Sequence, residues 1–182
     1  YRFIRHDERG CGMTDWNVGD LSFARWVEDL EALVATADPK EQFAFLGISQ
    51  GAATCIAYAA QHPERVSHLV LYGGYARGTF RRGDPDKERL YRALIDMTRH
   101  GWGKNNPAYR QVFTSRFIPD ATDEQIGWFN ELCRKTTSPE IAAKSSCWPL
   151  PATPAIPMTS PLRTVRSMSE SRVANGPSGG NE

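Results

Sequence analysis

A short unbroken apolar run, Gln42 to Ile48, stops in Gly47-Ile48-Ser49-Gln50-Gly51, and an alanine-rich stretch, Ala52 to Gln61, follows at once. No other feature restricts the fold of the chain as much. With Phe43, Ala44, Phe45 and Leu46 consecutive, the run reads as a strand buried on both faces. The alanines predict a helix, closed at His62-Pro63 because proline disfavours helical geometry in the residue before it. Another apolar run, Val66 to Tyr72, ends at Gly73-Gly74. Strand, helix, strand in this order calls for a right-handed crossover, so the chain is predicted to be α/β with central parallel strands.

The flanks fit that reading. Tyr1 to His6 alternates apolar and basic residues before the turn-rich Arg9-Gly10-Cys11-Gly12, as a strand entering a loop would. Because the chain opens at a tyrosine inside this run, further sequence is expected upstream. Apolar residues recur at three and four from Leu21 to Ala37, which predicts an amphipathic helix with Asp20 as N-cap and Asp38-Pro39 as its stop. Beyond Gly74 the pattern becomes helical, with helices predicted over Lys87 to Arg99, Pro107 to Phe117 and Thr122 to Lys135. The expected organisation is an α/β core over residues 1–80, a helical region over 81–144 and a Pro/Ser-rich tail over 145–182. Six of the chain's 12 prolines fall in that tail, and Trp148 is its one aromatic, so disorder is expected there.

Composition narrows the partners. With 22 Lys+Arg against 21 Asp+Glu and no basic run, nothing predicts wrapping of nucleic acid or docking on an anionic membrane. No apolar stretch approaches the roughly 20 residues of a spanning helix, and the first residues lack a signal peptide's apolar middle, so a cytoplasmic location is expected. Cys11, Cys55, Cys133 and Cys147 are far apart, without close pairs, and read as reduced thiols.

Chemistry is concentrated at Ser49. A G-x-S-x-G pattern between an apolar strand and a helix fits a nucleophile elbow, a sharp turn that lifts the serine hydroxyl out of the sheet. Glycines flank the serine because the strained turn brings neighbouring backbone too close for a Cβ. The amide of Gln50, at the start of the helix, is one oxyanion donor.

These residues resemble an α/β-hydrolase. His6-Asp7-Glu8-Arg9-Gly10-Cys11-Gly12-Met13-Thr14-Asp15-Trp16 is similar to the D-x-R-G-x-G-x-S segment of that superfamily. Phe45 to Ala53, Ala59 to Val66 and Leu69 to Gly74 are similar to its elbow, crossover helix and next strand. His100-Gly101-Trp102-Gly103 and Phe113 to Pro119 resemble part of the helical cap of a cap-bearing, serine-hydrolase branch. The likeness runs from about Tyr1 to Lys144 and implies Ser49 as nucleophile, Gln50 as oxyanion amide, a small-molecule ester or acyl substrate, and no metal or organic cofactor.

The resemblance also implies parts that this sequence does not supply. Family members carry further strands before the position of Tyr1, and two after the cap that bring the acid and the histidine. Here the sequence turns Pro/Ser-rich after about residue 144, with no histidine after His100. A shifted reading frame is one expectation: the coding DNA in the other two frames should then encode apolar strands with a downstream Asp and His, and their absence would exclude it. His100 is the candidate base within the chain, with Asp84 or Asp86 as orienting acid, against the demand that a base lie within about 3 Å of the hydroxyl on a rigid support. His6, His62 and His68 read as structural, and Asp7, Glu8, Arg9 and Asp15 as a network bracing a turn. Trp102, Tyr109, Phe113, Phe117, Trp128 and Phe129 fit either an apolar pocket lining or helix packing.

The reading is therefore a serine-hydrolase fragment with its nucleophile and without its usual acid and histidine, inactive alone. The alternatives are a non-enzymatic scaffold or interaction module, or a chain completed by a partner. Unpaired sheet edges predict self-association.

Overall fold

The computed structural model describes residues 2–75, 78–146 and 165–168. The chain divides into two compact units, one built from residues 1–38 and 77–153 and the other from 39–76 and 154–182.

The smaller unit holds the sheet. Strand β1 (Phe43–Ile48) leads into helix α2 (Gly51–Gln61) and then strand β2 (Val66–Tyr72), and β1 and β2 pair in parallel. A short strand, Val165–Met168, pairs parallel to the far side of β2 and is labelled β3 here, giving the order β1-β2-β3. The rest of the tail expectation lies outside the described residues.

The expectation of strands buried on both faces needs correction. One face of the sheet packs on α2, where Phe43 and Phe45 meet Tyr58 with ring centroids 6.2 and 5.2 Å apart and Leu69 is buried. On the other face Leu46 is 52% exposed and Ile48 56%. An unbroken apolar run reports high hydrophobicity on both sides of a strand; whether a second layer covers both is decided elsewhere in the chain.

The larger unit is helical. Helix α1 (Phe23–Ala37) buries Trp26, Val27, Leu30 and Val34 along one face and ends where Asp38 turns left-handed at φ 43°. Its N-cap position is taken by Ser22, and Asp20 instead accepts from Ser22 N–H at 2.7 Å, so the acid shapes the turn entering the helix. Helices α3 (Pro85–Gly101), α4 (Ala108–Thr114), α5 (Asp123–Thr136) and α6 (Pro139–Ser146) follow. Asp84 caps α3, and Thr122 with Gln125 forms a reciprocal capping box on α5. Helix α6 was not anticipated; it buries Ile141, Ala142 and Ala143 within only eight residues, too short for a clear helical period. Trp102, Cys133 and Ala142 form a core with Phe113 and Phe129 against it.

Residues 2–8 form no strand. An alternating pattern becomes a strand only when a neighbouring strand satisfies its backbone, and Phe3 stays 79% exposed. The following loop is anchored instead: Gly12 N–H donates to Thr136 O at 2.7 Å, and Thr137 Oγ1 to Gly10 O at 2.8 Å.

Candidate functional site

Ser49 sits between the end of β1 and the start of α2, with φ +52°. L-residues rarely adopt this left-handed backbone, which costs them roughly 1–2 kcal/mol. Two hydrogen bonds hold it. Ser49 N–H donates to Tyr72 O at 2.8 Å, tying the turn to the carboxyl end of β2, and Ala52 N–H donates to Ser49 O at 3.2 Å as the helix begins.

Gly47 is required by close approach, because a Cβ there would lie 2.7 Å from the Cα of Ala52. Gly74 is a second such position, where a Cβ would meet the Ala52 Cβ at 2.7 Å. Sequence reasoning treated Gly74 only as the end of a strand. The signal that could have found it is the pairing of Gly73-Gly74 with a neighbouring turn whose own glycine already implied crowding. Gln50 follows in helical geometry (φ −66°, ψ −29°), so its amide opens α2 together with that of Gly51. Ser49 and Gln50 are both half-buried at the carboxyl edge of the two strands. Open α/β sheets bind ligands outside that edge.

The other candidates have separate surroundings. His100 is exposed in the last turn of α3, in the helical unit. Asp84 accepts from Lys87 N–H at 3.1 Å and meets Lys87 Nζ at 2.8 Å, and these bonds hold its carboxyl below the usual range. Asp86 pairs with Arg89. His62 ends α2 with its ring 4.6 Å from that of Tyr58, and His68 lies on the exposed face of β2. In the loop after residue 6, Asp7 Oδ2 accepts from Met13 N–H at 3.0 Å. Arg9 grips Asp29 with two bonds of 2.6 and 2.5 Å and donates to Asp20 O at 3.0 Å, which braces the turn onto α1.

The aromatic residues divide. Trp102 is buried, with Nε1 donating to Cys133 O at 3.0 Å, and ring contacts run from it through Phe113, Phe117 and Phe129 to Trp128. Tyr109, Phe117 and Trp128 are exposed. Sequence reasoning missed Arg110, whose guanidinium is fully buried and donates from Nη1 to Trp102 O at 2.5 Å and Lys104 O at 2.6 Å. Its spacing on α4 does place it on an inward face, but charge alone argued for the surface. Burial pushes the Cys133 thiol up to about 11 and raises that of Cys11, so neither offers a thiolate at neutral pH. Among the described residues no group of three or more His, Cys, Asp or Glu converges as a metal cluster, and no helix is long and apolar enough to cross a membrane.

Solved structures with this arrangement include an esterase from Exiguobacterium antarcticum, 20% identical, with a TM-score of 0.63 over 77% of this chain and 52% of that one. A thermophilic esterase from Thermogutta terrifontis is also 20% identical, with a TM-score of 0.56 over 77% of this chain and 50% of that one. At this identity the likeness is one of fold, and the chain spans about half the length of either. The alpha/beta hydrolase fold family matches residues 1–153. The strand-turn-helix around Ser49, the parallel β1–β2 pair and this match agree, and the chain belongs to the α/β-hydrolase fold family.

Proposed function

We propose that this chain carries the nucleophile-bearing part of a serine hydrolase acting on small-molecule carboxylic esters or related acyl compounds. Ser49 is the nucleophile and the Gln50 amide an oxyanion donor. The observation that carries the reading is the left-handed Ser49 between β1 and α2, packed over a glycine that cannot bear a Cβ. A glycine at position 49 would make the same turn without strain, so a serine there carries a backbone cost that a structural role does not explain.

In this reading Ser49 Oγ attacks the acyl carbonyl and gives up its proton to a base, and the carbonyl oxygen takes the negative charge facing the Gln50 N–H and the positive end of α2. Collapse re-forms the carbonyl and expels the alkoxide, which takes the proton; water repeats the cycle on the acyl-serine. The fold likeness to esterases supports the substrate class, and helices α3 to α5 are read as the cap. His100 is the base candidate on this chain. Without an assembled base Ser49 Oγ attacks only as the protonated hydroxyl, so turnover by this chain is expected to be slow.

Hydrolysis of p-nitrophenyl acetate by wild type, Ser49→Ala and His100→Ala tests this. A slow rate that vanishes in Ser49→Ala is expected. Equal rates for wild type and Ser49→Ala would overturn the nucleophile and leave a scaffold on a hydrolase fold. A His100→Ala rate as low as that of Ser49→Ala identifies the base, and an unchanged one removes His100 from the reaction.

A further inference from the structure

We propose that the Nε–Nη2 edge of Arg110 is a binding site for one internal water molecule, which bridges the buried guanidinium to the carboxylate of Glu131. A guanidinium holds five N–H donors in a fixed plane, and Nε with Nη2 forms the side-on edge that acceptors take bidentately. In Arg110 the carbonyls of Trp102 and Lys104 are both met by Nη1. The side-on edge is left to another partner. Its Nε is buried, and among the described residues no group accepts from it. Beside Nη2 lies the Glu131 carboxylate on α5, with Oε1 3.9 Å away, about 1 Å beyond a direct bond.

Glu131 does not close that gap, because Arg134 already holds it. Arg134 Nε reaches the two carboxylate oxygens at 3.1 and 3.2 Å, and its Nη2 reaches Oε2 at 2.9 Å. Leaving a charged N–H buried without an acceptor costs more than immobilising one water, so a filled edge is the stable state. The Arg110 side chain is 1% exposed and that of Glu131 48%, so the gap between them leads from the interior towards solvent and gives a water its way in. All of these groups belong to the helical unit.

The occupant must accept from Nε–H and Nη2–H and donate to Glu131 Oε1. A cation would be repelled by the guanidinium, and an anion on the edge would rest against the carboxylate. Water performs both functions, and three partners are the number that an internal water ordinarily takes. A water about 2.9 Å from both Nη2 and Oε1 spans their 3.9 Å separation with its two bonds near a right angle. The bridge ties α4 to α5 through a cation and a carboxylate that make no direct hydrogen bond.

Nuclear magnetic resonance of the full 182-residue chain, with the Arg110 Nε–H resonance assigned in uniformly labelled wild type, tests the proposal without a variant. A rotating-frame Overhauser cross-peak between this proton and water, opposite in sign to the diagonal, is expected. No cross-peak, or only an exchange peak with the sign of the diagonal, would overturn it. Titration with chloride at constant ionic strength should leave the resonance in place, and a saturable shift would put an anion on the edge instead. Glu131 is exposed, so Glu131→Ala keeps the fold while removing the outer end of the bridge. Exchange of the Nε proton with bulk water should then quicken by about tenfold, the worth of one hydrogen bond to a charged group. Unchanged exchange in that variant would remove Glu131 from the site and overturn the bridge.

Discussion

The helical unit places polar groups inside, and the sheet unit leaves apolar groups outside. In the first, Arg110 is buried against the carbonyls of Trp102 and Lys104, and Thr114 Oγ1 donates to Asn130 Oδ1 at 2.7 Å, also buried. In the second, Leu46, Ile48, Val70 and Tyr72 stay exposed on one face of two strands. The difference lies in what each region can complete from its own residues. The guanidinium meets the carbonyls of Trp102, at the end of α3, and Lys104, just after it, with Glu131 of α5 3.9 Å away, so a charge is tolerated where partners converge. Strands β1 and β2 have α2 on one side, and a parallel sheet needs a layer on each.

The largest expected effect tests the first half of that comparison. Arg110→Met removes the donors to two buried carbonyls and should cost about 3 kcal/mol or more, read from urea unfolding. Near-neutral stability would mean that the hydrophobic surroundings carry the helical unit without its buried charge. In the sheet unit Gly47→Ala drives a Cβ into the Ala52 backbone, and a loss of about 1–3 kcal/mol is expected, because the obstacle cannot rotate away.

A smaller effect has the opposite sign. Ser49→Gly should stabilise the chain by about 1 kcal/mol, since glycine adopts φ +52° without penalty, while removing any serine-dependent hydrolysis. Thermal melts beside Ser49→Ala, which keeps the strain, separate the backbone contribution from loss of the hydroxyl. Destabilisation by glycine would show that the turn is held by the side chain.

The smallest effect concerns acid. Asp20, Asp84 and Glu131 are held below their usual ranges by bonds from Ser22, Lys87 and Arg134. Their folded values lie below the ordinary ones, 3.8 for Asp and 4.5 for Glu, so the stabilisation is complete above those values and is lost as pH falls through the depressed ones. The melting midpoint should therefore decline as pH is taken below about 4. Asp20 and Glu131 are exposed and Asp84 is partly so, so the decline should be shallow and weaken further in high salt. A melting midpoint that is unchanged at pH 3 would remove these pairs from the stability of the fold.

Much of the sheet unit was legible before its structure. The runs 42–48, 52–61 and 66–72 match β1, α2 and β2 within one residue at either end, because glycine and proline punctuate them locally. The strained Ser49 was legible too, since a serine between two glycines at a strand-helix junction leaves few backbone paths. In the helical unit α3 to α5 were legible from their caps and periodicity, whereas α6 was not.

What the sequence by itself determined is therefore local: element type, the ends of β1, α2 and β2, and the turn that holds Ser49. The reasons are steric and act over a few residues, in the φ that a turn demands and the period of an apolar face. Tertiary structure alone decided that residues 2–8 form no strand, that Arg110 is interior, that Gly74 must lack a Cβ, and that Leu46, Ile48, Val70 and Tyr72 are exposed on one face of β1 and β2. Each of these depends on which distant segment arrives beside the residue, and hydrophobicity along a chain carries no record of its neighbour across space.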